Sequence, residues 1–285
     1  MKKQKWIQNK NIILTGASSG MGKDLVKMLI TKYNCNILGI ARSKEKMEKL
    51  QAELGEYSKN FIYQLFDVSI EQNWHDLKEK LVEINFAPDV LINCAGVLPP
   101  FQTFEKQSLE QLTQTMNINF FACVYACKIL YDEIMKSKTP AFINIASSAS
   151  LCALPGITAY TASKSALKNF TESFREEMVK KAYVSLICPG FVKTDIMRSQ
   201  ENYEGSKLID FISMDCDKMT KKIVKSIVKK KRRVVLGMDA KAMDRLYRWM
   251  PKTSLVILRK VLKASKINLF KDVYDYKDKK QKNKK

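Results

Sequence analysis

The chain has 285 residues, 46% of them apolar, which is enough to bury one sizeable core. Its formal charge of +21 is unevenly placed: residues 218–285 hold 24 Lys and Arg against 5 Asp, so the basic character belongs to the C-terminal quarter. The single histidine, His75, leaves a His-based catalytic centre or a zinc site without support, and no metal is expected. Seven cysteines with no C-x-x-C spacing favour buried, reduced thiols. The start, Met1-Lys2-Lys3-Gln4-Lys5-Trp6, lacks a signal-peptide core and no apolar run reaches spanning length, so a cytoplasmic protein is expected.

Along the chain, short apolar runs at 12–14, 36–40, 61–66, 90–92, 141–145 and 183–187 each suit a strand buried on both faces, with 234–236 as a candidate last strand. Helix-period segments separate them. This alternation predicts an α/β fold, a doubly wound parallel sheet of Rossmann type, with ligands at the carboxyl ends of the strands.

The first strand runs into Thr15-Gly16-Ala17-Ser18-Ser19-Gly20-Met21-Gly22, and a helix pattern follows. Glycines at a strand-to-helix turn let backbone approach a pyrophosphate, whose charge then meets free N–H groups at the helix start. The second strand ends Ala41-Arg42-Ser43, where no acid stands to accept from an adenosine ribose hydroxyl. Arg42 and Ser43 suit the 2′-phosphate of NADP instead; the bland alternative is a solvated Arg opening the helix at 43–54. Asp67-Val68 follows the third strand and suits an adenine amine, and Asn93-Cys94-Ala95-Gly96 closes the fourth.

The fifth strand ends in Ser147-Ser148, thirteen residues before Tyr160, and Tyr160 precedes Lys164 by one helical turn. A phenol beside a fixed cation can do acid/base work at neutral pH, although the same spacing occurs as a packing pair on many helices. Pro189-Gly190 comes after the sixth strand.

Taken in order, these motifs over about residues 9–195 resemble the short-chain dehydrogenase/reductase family. The resemblance implies Tyr160 as general acid/base, Lys164 as the group that lowers its pKa and holds the nicotinamide ribose, and Ser147 as donor to the substrate carbonyl. It makes Asn119 the anchor of a proton-relay water. Asn117 is the rival to Asn119, and Ser148 the rival to Ser147. It places cofactor against Gly16, Ser18, Ser19, Gly20, Met21 and Gly22, against Ala41, Arg42 and Ser43, and against Asp67, Val68, Asn93, Ala95 and Gly96. Tyr160, Lys164, Pro189, Gly190, Val192 and Thr194 complete that set. Cys94 stands where the family more usually has asparagine. The stretch 41–45 is similar to that of NADP-dependent hydroxysteroid dehydrogenases, and 191–217 matches the family's substrate lid, where Phe191, Ile196, Met197, Tyr203, Leu208, Phe211 and Met214 suit either an apolar ligand or the ordinary amphipathic packing of a lid helix.

The expected activity is therefore interconversion of a carbonyl and a secondary alcohol with NADP(H), on a steroid-, lipid- or acyl-like substrate, in a homodimer or tetramer. A non-catalytic NADP-binding regulator is the alternative. Residues 1–237 read as the Rossmann-type domain, 238–275 as its basic amphipathic helical extension, and 276–285 as a Lys-rich disordered tail. In the extension Ala240, Met243, Leu246, Tyr247 and Met250 recur at helical spacing, and Pro251 precedes a second apolar helix at 254–264. Three readings of it compete: a face on anionic membrane, a solvated cap or oligomer contact, and a nucleic-acid surface, the last without any recognisable reading module.

Overall fold

The computed structural model describes residues 5–194, 213–264 and 270–274. Strands β1 (Asn11–Thr15), β2 (Asn36–Ala41), β3 (Phe61–Leu65), β4 (Val90–Asn93), β5 (Ala141–Ile145), β6 (Tyr183–Pro189) and β9 (Arg233–Leu236) form one sheet in the order β3-β2-β1-β4-β5-β6-β9. Every pairing in it is parallel. The short apolar runs become strands because both sheet faces are covered: Ile12, Ile13 and Leu14 are all fully buried. The candidate strand at 234–236 is β9, the sheet's edge beside β6.

Helices α1 (Gly20–Tyr33), α2 (Lys44–Glu53) and α8 (Cys216–Val228) cover one face, packing Leu29, Leu50 and Ile223 into a core with Ile12 and Leu14. The opposite face takes α3 (Glu71–Glu83), α5 (Ala122–Ile129) and α7 (Thr158–Glu177), whose Trp74, Ala126 and Leu167 pack with Ile13 and Phe142. Strand order reverses between β1 and β4, and their carboxyl ends open a crevice there, the place where doubly wound sheets bind ligands.

The inward spacing of Ile223, Val224, Ile227 and Val228 predicts a helix over 218–233, but α8 stops at Val228, because Lys230 turns left-handed at φ 50° and the Lys231 N–H bonds back to the Ser226 carbonyl, ending the helix. The fourth helical segment is not uniform: α4 (Leu109–Met116) passes through one π-helical turn, Asn117–Phe121, into α5.

After β6 a second, two-stranded pairing joins β7 (Val192–Lys193) to β8 (Met214–Asp215). Helices α9 (Met238–Trp249) and α10 (Pro251–Ala264) follow β9, with Pro251 as the first helical residue, where its missing N–H costs nothing.

Candidate active site

Two clefts meet at the carboxyl edge of the sheet. The first, of about 570 Å³, is polar and is lined by Gly16, Ser18, Ser19, Ala41, Arg42, Asp67, Val68 and Ala95. The second, of about 760 Å³, is mainly apolar and holds Met21, Ser147, Ser148, Tyr160, Lys164, Pro189, Gly190, Val192 and Thr194. Gly96 and Val97 line both and form the waist between them.

The turn after β1 is crowded. A Cβ on Gly22 would overlap the Gly16 carbonyl oxygen, so the first turn of α1 can lie on the strand end only with glycine there. At the start of α1, Ser19 makes no side-chain capping bond and the first turn carries no acid, which leaves the helix-end N–H groups and their partial positive charge for an anion. The Thr15 hydroxyl accepts the N–H groups of Cys94 (3.0 Å) and Ala95 (3.1 Å) and so ties the β4 exit to β1. These residues fit the pyrophosphate of a dinucleotide.

At the adenosine end, Arg42 is exposed and its guanidinium lies 3.7 Å from an Asp67 oxygen. Burial pushes the Asp67 carboxyl up, but hydrogen bonds from the Ser69 hydroxyl and N–H, with Arg42 nearby, outweigh it and hold the group below its usual range.

In the apolar cleft Ser147 caps a short 3₁₀ turn (Ser148–Ser150), accepting the Ala149 N–H at 3.2 Å. Ser147 and the phenol of Tyr160 line the same cleft, with Ser147 close enough to offset part of the phenol's burial, and Ser148 is buried next to it. Lys164 is 4% exposed; its Nζ donates to the Ile145 carbonyl at 3.1 Å and sits 6.0 Å from the Tyr160 ring centre. The π-helical turn aims Asn119 across the site, where its amide accepts the Val97 N–H (2.8 Å) and donates to the Val97 carbonyl (2.9 Å) and Ser163 Oγ (3.1 Å). Asn119 thereby fastens the waist to α7. A Cβ on Gly96 would lie 3.1 Å from Asn119 Oδ1 and 3.3 Å from Lys164 Nζ, so this backbone must also stay bare.

The electrostatics differ from the sequence expectation. Burial pushes the Tyr160 phenol above its ordinary value, with Ser147 offsetting only part of that, and burial pushes the Lys164 ammonium down. Desolvation of both groups thus opposes the expected lowering of the phenol by Lys164.

The family profile described as short chain dehydrogenase matches residues 10–205. The chain belongs to that family. An uncharacterized oxidoreductase of Staphylococcus saprophyticus is 30% identical over 194 residues, covering 67% of this chain and 77% of that protein. The 11-beta-hydroxysteroid dehydrogenase A of Sesamum indicum is 25% identical over 204 residues, 72% of this chain but only 58% of the sesame protein. A short chain dehydrogenase/reductase from Burkholderia phymatum, solved with NAD, shares the fold at a TM-score of 0.75 and 18% identity, covering 85% of this chain and 94% of that one. The short chain dehydrogenases are oxidoreductases whose fold takes a nicotinamide cofactor.

Two residues of the expected dehydrogenase site face elsewhere. Asn93 is buried, and its amide donates to Asn144 Oδ1 (2.9 Å) and Cys127 Sγ (3.5 Å), so its side chain braces β4 against β5 and lines neither cleft. Ser43 caps α2, accepting the Lys46 N–H at 3.3 Å. Gly20 and Gly22 act through the backbone turn. Residues 195–212, with Ile196, Met197, Tyr203, Leu208 and Phe211 of the expected lid, lie outside the described residues, as does the tail at 276–285. The described residues on either side of that stretch are tied together: the Met214 N–H donates to the Phe191 carbonyl at 2.9 Å.

The cleft's outer wall has no local signal in the sequence. Phe101, Leu154 and Ile157 form it, Phe270 packs edge-on against Phe101 at 5.1 Å, and Met243, Leu258 and Leu262 of α9 and α10 join the same cluster as Tyr160 and Phe191. The C-terminal helices therefore cap the dehydrogenase cleft. Asp239, in the first turn of α9, belongs to the same end of the cleft: its half-buried carboxylate accepts the Phe191 N–H at 2.7 Å. Burial pushes Asp239 up, partly offset by the N–H groups of Phe191 and Ala240.

Proposed function

We propose that this protein is an NADP(H)-dependent oxidoreductase that interconverts a carbonyl and a secondary alcohol on a hydrophobic small molecule. The observation that carries this reading is the convergence of Ser147, Tyr160 and Lys164 in an apolar cleft joined at Gly96 to a polar one. When bound, the nicotinamide supplies or accepts hydride.

The protein's part is orientation and proton transfer. The phenol of Tyr160, kept protonated by burial, is the proton donor to a substrate carbonyl oxygen, and Ser147 Oγ–H donates a second hydrogen bond to the same oxygen. In oxidation the phenolate accepts the alcohol proton. Lys164, held by the Ile145 carbonyl, offers its remaining N–H groups to ribose hydroxyls at the waist. Asn119 positions that waist. Arg42 supports a 2′-phosphate, since its exposed guanidinium can leave Asp67 for a second anion and no carboxylate follows it on β2. The apolar wall of Phe101, Leu154 and Ile157 supports a lipid-, steroid- or acyl-like substrate over a small polar one.

We read residues 238–275 as an extension of the one domain, and a homodimer or tetramer is the assembly to check by light scattering. The test of activity is NADPH oxidation, followed optically, across a panel of ketones, acyl ketones and steroids, with Tyr160→Phe beside the unaltered protein. Turnover lost in Tyr160→Phe with NADPH still bound is the expected result. Equal turnover in both removes Tyr160 from the chemistry.

A further inference from the structure

The helices α9 and α10 bury little of themselves. Ala240 and Ser254 are their fully buried residues, while Met243, Leu258 and Leu262 lean on the cleft cluster. Their other side stays in water and is unusually apolar for such a surface: Trp249 is 86% exposed and Val261 54%, with Met250, Leu255, Val256 and Ile257 also open. Interspersed with these stand Lys241, Arg245, Lys252, Arg259, Lys260 and Lys263, all exposed. The stretch has just two carboxylates. Asp239 is turned inward to Phe191, and Asp244 pairs with Arg233 (3.0 Å) and Arg248 (3.1 Å), so neither neutralises the outer face.

Such a face excludes some occupants by charge. A second copy of this chain would set cation against cation, which opposes a symmetric contact through these helices. A polyanion such as duplex DNA would meet the lysines but leave Trp249 and the aliphatic side chains without a role. An anionic bilayer satisfies both components, since phosphates meet Lys and Arg while Trp249, Val256 and Val261 enter the headgroup boundary. No described helix is long and apolar enough to span a membrane, so the contact is one of lying on the surface.

We propose that α9 and α10 form a docking surface for anionic lipid bilayers, which sets the capped cleft against the bilayer and draws its hydrophobic substrate from there. The second clause rests on the oxidoreductase reading above; the docking itself does not. Two connections make the cap part of the site: Leu258 and Leu262 pack in the cluster that holds Tyr160 and Phe101, and Asp239 ties the start of α9 to Phe191 at the lid's root.

The test is co-sedimentation of the full-length protein, without cofactor or substrate, with vesicles of phosphatidylcholine alone or with one third phosphatidylglycerol, at low and high salt. Binding to the anionic vesicles at low salt, lost with neutral lipid and weakened by salt, is expected. Lys260→Ala should weaken it about fivefold, the equivalent of about 1 kcal/mol per basic residue. Trp249→Ala should weaken it at least as much, and both positions are exposed enough for the fold to survive. Protein remaining in the supernatant with anionic vesicles at low salt overturns the proposal. So does binding that Trp249→Ala and Lys260→Ala leave unchanged, because attachment would then belong to the remaining basic tail, and so does preference for a DNA duplex over anionic vesicles. A dehydrogenase that is active yet never sediments refutes docking alone; one that sediments yet turns over nothing refutes the catalytic reading alone.

Discussion

Replacing Arg42 by Ala tests the cofactor reading at one atom group. Among the described residues the guanidinium pairs with Asp67 at 3.7 Å, and the pair is exposed on the Arg42 side. An exposed pair of this kind contributes about 0–1 kcal/mol, so little is lost when Arg42 turns to another anion. A hydrogen bond to a charged group contributes about 1.5–3 kcal/mol, and with the cost of leaving Asp67 subtracted, Arg42→Ala should weaken NADPH by roughly 0.5–3 kcal/mol, about two- to 150-fold. NADH, which offers no 2′-phosphate for Arg42 to meet, should be unaffected. Titration of each cofactor by intrinsic fluorescence reads the two affinities on one sample. An equal loss for NADPH and NADH would refute the argument and make Arg42 a structural residue of the β2 exit.

Further outcomes follow from the same geometry. Because burial raises the Tyr160 phenol, the acid form predominates at neutral pH; alcohol oxidation, which needs the phenolate, should therefore quicken as pH rises, while carbonyl reduction should fall once the phenol deprotonates. An oxidation rate that peaks below neutrality in a steady-state profile would contradict this. Asp239→Ala removes the acceptor of the Phe191 N–H and should loosen the Phe191 backbone; the expected sign is a higher KM with kcat moved less, and faster amide exchange at Phe191. Gly22→Ala should abolish NADPH binding, since the added methyl overlaps the Gly16 carbonyl oxygen and α1 must move off the strand end. Trp74→Ala, which empties a fully buried site and drops the indole bond to the Val68 carbonyl, should cost about 3–5 kcal/mol in a denaturant titration.

Much of this fold and of its clefts is legible in the sequence. Continuous apolar runs with helical segments between them force a parallel sheet covered on both faces, and the Gly-rich turn, Ser147, Tyr160 and Lys164 all lie at strand exits of that sheet or just beyond, so the same local signals that define the elements also locate the clefts. Ser43 was within reach of the capping rule, being a serine at the head of a charged helix. Asn93 was not: its turn inward depends on Asn144 standing directly opposite in the β4–β5 register, which is a pairing between residues 51 positions apart. Asp239 and the cap were hidden for the same reason. The amphipathic period of α10 announces that one face is covered, but Leu258 and Leu262 cannot name the cluster of Phe101 and Tyr160 as what covers it, because that cluster gathers residues distant in the sequence.

The waist at Gly96 and Val97 has a consequence for how affinity is assembled. On the proposed reading each cleft takes one half of a dinucleotide, and the covalent link between the halves turns the second contact into an intramolecular one at high effective concentration. An adenosine phosphate and a nicotinamide mononucleotide should each bind weakly and without excluding the other, while the joined molecule binds far more tightly than either. A bulkier residue at Gly96 would press on Asn119 and on the Lys164 ammonium, and so would strike the nicotinamide half directly. The adenosine half would keep most of its own contacts, and the advantage of joining the two would shrink.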